Sequence, residues 1–227
     1  IRPRKKFSHK GTYGHALLIG GKYGMMGAIT LASTATLKTG CGLVTAHIPK
    51  CGYEIMQISL PEAIISIDSN NEVVSEIPKL EKYNAIGVGI GLGTDEKSAS
   101  ALYNLLKYTT SPLVIDADAI NILAQNKEWI NLLPQGTILT PHPKEFERLF
   151  GKTQNQYEKW LKQIEYSQQY GIVIILKGAY SSISLPDGTL HINPTGNAGM
   201  ATAGSGDVLA GVIAALIAQG ATPESAA

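Results

Sequence analysis

Ile172-Val-Ile-Ile-Leu176 is an unbroken apolar run framed by Gly171 and Lys177. A strand with one wet face alternates apolar and polar residues. One without alternation is buried on both faces, which points to a parallel sheet covered by helices. Shorter runs of the same kind recur at residues 16–19, ending in Gly20-Gly21, and at 43–48, 63–67, 85–89, 113–115 and 137–139. Between them, the spacing predicts helices over 26–38, 95–108, 144–150 and 156–169, the last with Tyr157, Trp160 and Ile164 on one side. Residues 182–185 and 189–192 flank Pro186-Asp-Gly188 and read as a hairpin. Alternating strands and helices predict an α/β fold with a mostly parallel central sheet and helices on both faces.

Bulk properties narrow the function. The 227 residues suit one large domain or two small ones, and 44% hydrophobic residues supply a sizeable core. A net charge of +1 gives no reason to expect nucleic acid or an acidic membrane as partner. Cys41 and Cys51 have neither metal nor redox spacing, so a reducing, cytoplasmic setting is the default. No apolar run is long enough to span a bilayer. Residues 1–10 are basic and read as a lead-in or linker to a domain over 11–227. The chain starts without Met and stops at Ala227, early in a new helix, so the domain's C-terminal end is expected to be missing.

The chemistry concentrates in Asn197-Ala-Gly-Met-Ala-Thr-Ala-Gly-Ser-Gly-Asp207, which runs into an apolar helix over 208–218. A glycine-rich loop turns its N–H groups toward a ligand, and the helix start adds unpaired N–H groups and the positive end of its dipole. Phosphate oxygens fit such a nest. A carboxylate beside it, Asp207, can take a proton from an incoming hydroxyl. The alternative is an ordinary helix cap. The helix dipole is expected to keep Asp207 ionised and therefore a weak base.

Other candidates sit where strands end, which is where open parallel sheets bind ligands. Gly20-Gly21, the stretch from Gly24 to Ala28, and Gly91-Leu-Gly93 form such loops, with neither dinucleotide nor Walker spacing. Asp116 and Asp118 could hold Mg²⁺ through water, or one could cap the next helix while the other is solvated. His142, stiffened between Pro141 and Pro143, is either structural or a ligand contact. Glu145 is either an acidic site group or a first-turn helix stabiliser. Lys177-Gly178 could offset phosphate charge or simply end a strand.

Asn197 to Gly211 closely resembles the signature of the NAD(P)H-hydrate dehydratases, a branch of the ribokinase-like superfamily. Gly20 to Ala28, Gly89 to Gly93, Asp116 to Asn121, Thr140 to Glu145 and Lys177-Gly178 agree in the same order. The resemblance implies a ribokinase-like fold and dehydration of the S epimer of NADHX or NADPHX to NADH or NADPH, with ADP or ATP as co-substrate and Mg²⁺ as cofactor. It implies that Ala28, Gly93, His142 and Asp207 contact the hydrated substrate, with Asp207 catalytic. Lys177, Gly178, Ala179, Tyr180 and Ser181, with Gly204, Ser205 and Gly206, would hold the nucleotide, and Asp116 and Glu145 would organise the metal. A homo-oligomer is expected, as is an epimerase domain upstream in some relatives. The alternatives are a small-alcohol kinase of the same fold and a non-catalytic nucleotide-binding module.

Overall fold

The computed structural model describes residues 4–227. Ile1, Arg2 and Pro3 of the expected lead-in lie outside the described residues. From Arg4 the chain is irregular and exposed up to a turn of 3-10 helix, Lys10–Tyr13. Arg4 fastens it: its guanidinium donates to the Gly40 carbonyl at 2.6 Å and stands 4.0 Å from the centre of the Tyr13 ring.

Nine strands form one sheet: β1 (His15–Gly20), β2 (Leu43–Ile48), β3 (Ile64–Ile67), β4 (Ala85–Ile90), β5 (Leu113–Ile115), β6 (Ile138–Leu139), β7 (Val173–Leu176), β8 (Ser181–Ser184) and β9 (Leu190–Asn193). Their order is β3-β2-β1-β4-β5-β6-β7-β8-β9. All pairings through β7 are parallel, and β7-β8-β9 is an antiparallel meander whose second turn is the expected hairpin. The chain winds outward from β1 through β2 to β3, then returns to the other side of β1 for β4. The switch point therefore falls between β1 and β4, the place where open sheets of this kind bind ligands.

Helices cover both faces: α1 (Met26–Lys38), α2 (Tyr53–Ser59), α3 (Glu96–Tyr108), α4 (Ala117–Gln125), α5 (Pro143–Phe150), α6 (Gln156–Tyr170), α7 (Ser205–Ala218) and α8 (Pro223–Ala226). Along each parallel strand, successive side chains enter opposite cores. Leu17, Ile19, Ile115, Ile174 and Leu176 pack with Leu105, Ile120 and Phe146 of α3, α4 and α5. Ala16, Leu18, Val114, Val173 and Ile175 pack with Ile29 of α1 and Ile213 of α7. Two-sided burial is the physical reason for the unbroken apolar runs.

α1 and α7 touch backbone to backbone. A Cβ placed on Gly211 would lie 2.2 Å from the Ala32 carbonyl oxygen, and the Thr36 hydroxyl donates to the Gly211 carbonyl at 3.0 Å. α6 departs from its expected apolar side. Tyr157 is 66% exposed, and the fully buried residues of this helix are Gln163 and Ser167. Gln163 donates to the carbonyls of Ile174 and Ser182 and accepts from the Ser182 hydroxyl, so this helix docks on the meander by hydrogen bonds. Among the described residues, no helix is long and apolar enough to cross a membrane.

Candidate active site

The expected site residues gather at the carboxyl ends of the strands, in two bays with a carboxylate region between them. The first bay lies beyond β7 and β8, a cleft of about 540 Å³. Lys177, Gly178, Ala179 and Tyr180, four of the residues expected to hold the nucleotide, line it. Ser181 instead closes the turn behind them, its hydroxyl donating to the Gly178 carbonyl at 3.2 Å. Trp160 and Lys159 of α6 and Ile192 of β9 complete the wall. None of these three was expected at the site from sequence, although Trp160 was placed on one side of its helix. The one legible signal was the Gln156, Lys159, Trp160 spacing, which puts them on one face of a helix.

The second bay is formed by the loops after β1 and β4, at the switch point. The loop after β1 reaches α1, where half-buried Ala28 sits two residues into the helix. Its Cβ would be 3.0 Å from a Cβ placed on Gly91. The Gly21 N–H donates to the Ile90 carbonyl at 2.9 Å, and Gly20 fits there only without a side chain. Gly91 and Gly93 both have positive φ, +63° and +79°, which explains glycine at each. The Gly93 N–H donates to Asp118 Oδ2 at 2.8 Å. Both residues expected at the substrate end, Ala28 and Gly93, thus belong to this bay.

Asp116 and Lys177 stand between the bays. Lys177 Nζ donates to Asp116 Oδ1 at 2.8 Å, with Asp116 only 2% exposed. Asp116 occupies the position before α4 without capping it, because its carboxylate is taken by Lys177. The reading of Asp118 as a solvated surface carboxylate is corrected as well, since it is half-buried and holds Gly93. Between them Ala117 has φ +48°, the sole non-glycine residue with positive φ among the described residues.

α7 begins three residues earlier than its apolar pattern implied, because Gly204, at φ +89°, supplies the turn that starts it. Ser205, Gly206 and Asp207 therefore form its first turn, whose N–H groups no helical carbonyl can reach. Asp207 is not the cap of this helix; Gly204 holds that position with no side-chain bond. A Cβ on Gly206 would come 3.5 Å from Lys177 Nζ and 3.9 Å from Asp116 Oδ2, which puts the start of α7 beside that ion pair. Burial pushes the Asp207 carboxyl above its ordinary range. The neighbouring Asp116 charge adds to this, Lys177 partly offsets it, and Asp118 raises it further. Against the expectation of a weak base, desolvation and like charge push Asp207 toward greater basicity.

His142 and Glu145 have a structural task. His142 Nδ1 accepts from the N–H groups of Lys144 and Glu145, and the His142 N–H donates to Glu145 Oε2 at 2.8 Å, a reciprocal cap on α5. The Lys177 N–H donates to the Pro141 carbonyl at 2.9 Å, which ties this corner to the end of β7. Burial pushes Glu145 up, against the donation from His142 and the charge of Lys177. Among the described residues, no three His, Cys, Asp or Glu side chains converge to hold a metal.

Comparison with known proteins follows the same lines. A family profile described as NAD(P)H-hydrate dehydratase matches residues 16–227. The chain is 42% identical, over 99% of its length, to the bifunctional NAD(P)H-hydrate repair enzyme Nnr of Moorella thermoacetica, but it covers only 44% of that protein. It is 40% identical to the ADP-dependent (S)-NAD(P)H-hydrate dehydratase of Neisseria meningitidis serogroup B, covering 97% of this chain and 74% of the relative. The ADP/ATP-dependent NAD(P)H-hydrate dehydratase from Bacillus subtilis, co-crystallized with ATP/Mg²⁺, superposes with a TM-score of 0.83 at 30% identity, covering 100% of this chain and 80% of that one. The sheet order and the strand-end site define a ribokinase-like α/β protein. The chain belongs to the NAD(P)H-hydrate dehydratase family.

Proposed function

We propose that this chain repairs hydrated nicotinamide cofactors. It removes water from the S epimer of NADHX or NADPHX and consumes ADP, or ATP, in doing so. One observation carries the proposal: a half-buried, more basic Asp207 stands within electrostatic reach of Lys177 on the nucleotide side and of Asp118 on the switch-point side. A carboxylate so placed can serve both bays at once.

In this reading Asp207 accepts the proton of the ring hydroxyl at carbon 6. The hydroxyl oxygen forms a bond to the terminal phosphorus of ADP as the bond to AMP breaks, so AMP leaves. The open N–H groups of Gly206 and Asp207, at the start of α7, take up the charge on the transferred phosphoryl group. Lys177 offsets phosphate charge as well. The ring nitrogen then pushes out phosphate as the carbon–oxygen bond breaks. Loss of a proton from carbon 5 restores the double bond, giving NADH and inorganic phosphate. The water removed from the ring thus leaves as part of the phosphate.

Mg²⁺ asks for few protein ligands, because phosphates and water supply most of its octahedron. Asp116 fits that sparing role, since its Oδ2 faces Gly206 while only Oδ1 is held by Lys177. Glu145, committed to the α5 cap, fits through water alone. When bound, the ion would neutralise charge on the phosphates.

The test supplies NADHX, Mg²⁺ and ADP or ATP and follows NADH by absorbance, with Asp207→Asn in parallel. NADH and phosphate appear with the wild type, and the variant loses about 10²–10⁴-fold in rate, the usual worth of a positioned base. A stable phosphorylated product, with no NADH, would replace this reading with that of a small-alcohol kinase.

A further inference from the structure

We propose that Asp118 is a positioning residue that fixes the Gly91–Gly93 turn to receive the hydrated nicotinamide end of the substrate, an inference that rests on the dehydratase reading above. Asp118 lies in the first turn of α4, where a carboxylate ordinarily serves the helix dipole. Here it reaches the neighbouring loop that follows β4, where Oδ2 accepts the Gly93 N–H at 2.8 Å. The turn it holds needs holding. Gly91 and Gly93 both carry positive φ, and glycine has the largest conformational freedom to lose when a turn is fixed.

The backbone around Asp118 is built to deliver it. Ala117, at φ +48°, adopts a left-handed conformation that L residues avoid, and such a residue persists only where its surroundings impose it. Gly89 makes room for the turn: a Cβ there would lie 2.0 Å from the Asp116 carbonyl oxygen and 2.7 Å from Ala119 Cβ, so the turn seats directly on β4. The left-handed step sends the two carboxylates apart. Asp116 goes to Lys177 on the nucleotide side, and Asp118 goes to Gly93 on the substrate side. The Asp-Ala-Asp turn is thus a two-armed bracket between the bays.

The test is steady-state kinetics on the full chain, varying NADHX at saturating ADP and ADP at saturating NADHX, for the wild type, Asp118→Ala and Asp118→Asn. Both variants remove the charge, and only Asn keeps an oxygen that can accept the Gly93 N–H. In Asp118→Ala the KM for NADHX rises about tenfold, the upper range for one lost hydrogen bond, while the KM for ADP stays within about twofold. Asp118→Asn recovers most of that KM. If Asp118→Ala does not fold, Asp118→Ser takes its place, being too short to reach Gly93. Equal losses in both KM values, no loss in either, or an Asn variant no better than Ala each overturn the proposal alone. A wild type that makes no NADH from NADHX overturns the dehydratase reading and the proposal with it.

Discussion

Asp207 is held in the state the fold likes least. Its carboxyl is pushed up by burial and by Asp116, so keeping it ionised costs folding free energy. A raised acid contributes stability below its unfolded pKa and loses it as pH rises through the folded value. At neutral pH, Asp207→Asn should therefore be catalytically dead yet more stable than the wild type. That advantage should vanish in acid, where the wild-type carboxyl is protonated; thermal unfolding at both pH values checks this. Under the proposed function the same shift sets the acid limb of kcat/KM, which reports the free enzyme's base, since activity falls as pH drops through the raised pKa. Lys177→Met removes the charge that opposes the rise and should move that limb to higher pH, as a pH–rate profile would show. The Asn197–Gly211 run marked Asp207 in the sequence, but its basicity was not legible. That depends on Asp116 and Asp118, brought near by the sheet from far earlier in the chain.

Among the elements, those ended by clear breakers were readable: Gly40 and Gly42 stop α1 and Pro49 closes β2, with boundaries as expected. One helix was missed and another misread for one reason: local composition does not reveal what a face will meet. α2 carries exposed Tyr53, Ile55 and Ile58 with a single buried residue, Met56, and so has no clean stripe. α6 buries Gln163 and Ser167 because its partners are the backbone and hydroxyl groups of the meander. His142 shows the same limit. The prolines marked a stiff corner, while the cap it forms with Glu145 needed coordinates to see. The α1–α7 contact yields a clear forecast. Gly211→Ala drives a methyl into the Ala32 carbonyl, and urea unfolding should show a loss of about 1–3 kcal/mol, typical of overpacking. Ala117→Gly should move the other way, gaining up to about 1 kcal/mol as the left-handed strain is relieved, less glycine's entropy.

At the scale of the molecule, a parallel sheet with two covered faces was implied by unbroken apolar runs, because each run must serve two cores. Strand order was not, since any of these strands could pair with any other on apolarity alone. That order places the seam between β1 and β4, and the seam divides the labour of the site. The glycine loops after β1 and β4 open one bay, and the end of β7 opens the other. The consequence concerns traffic. Two reactants that enter by separate doors do not queue. Under the proposed function, the hydrate and ADP should bind in either order and react only when both are present. Initial-rate plots should then give intersecting lines, and each product should inhibit chiefly against the reactant whose door it shares.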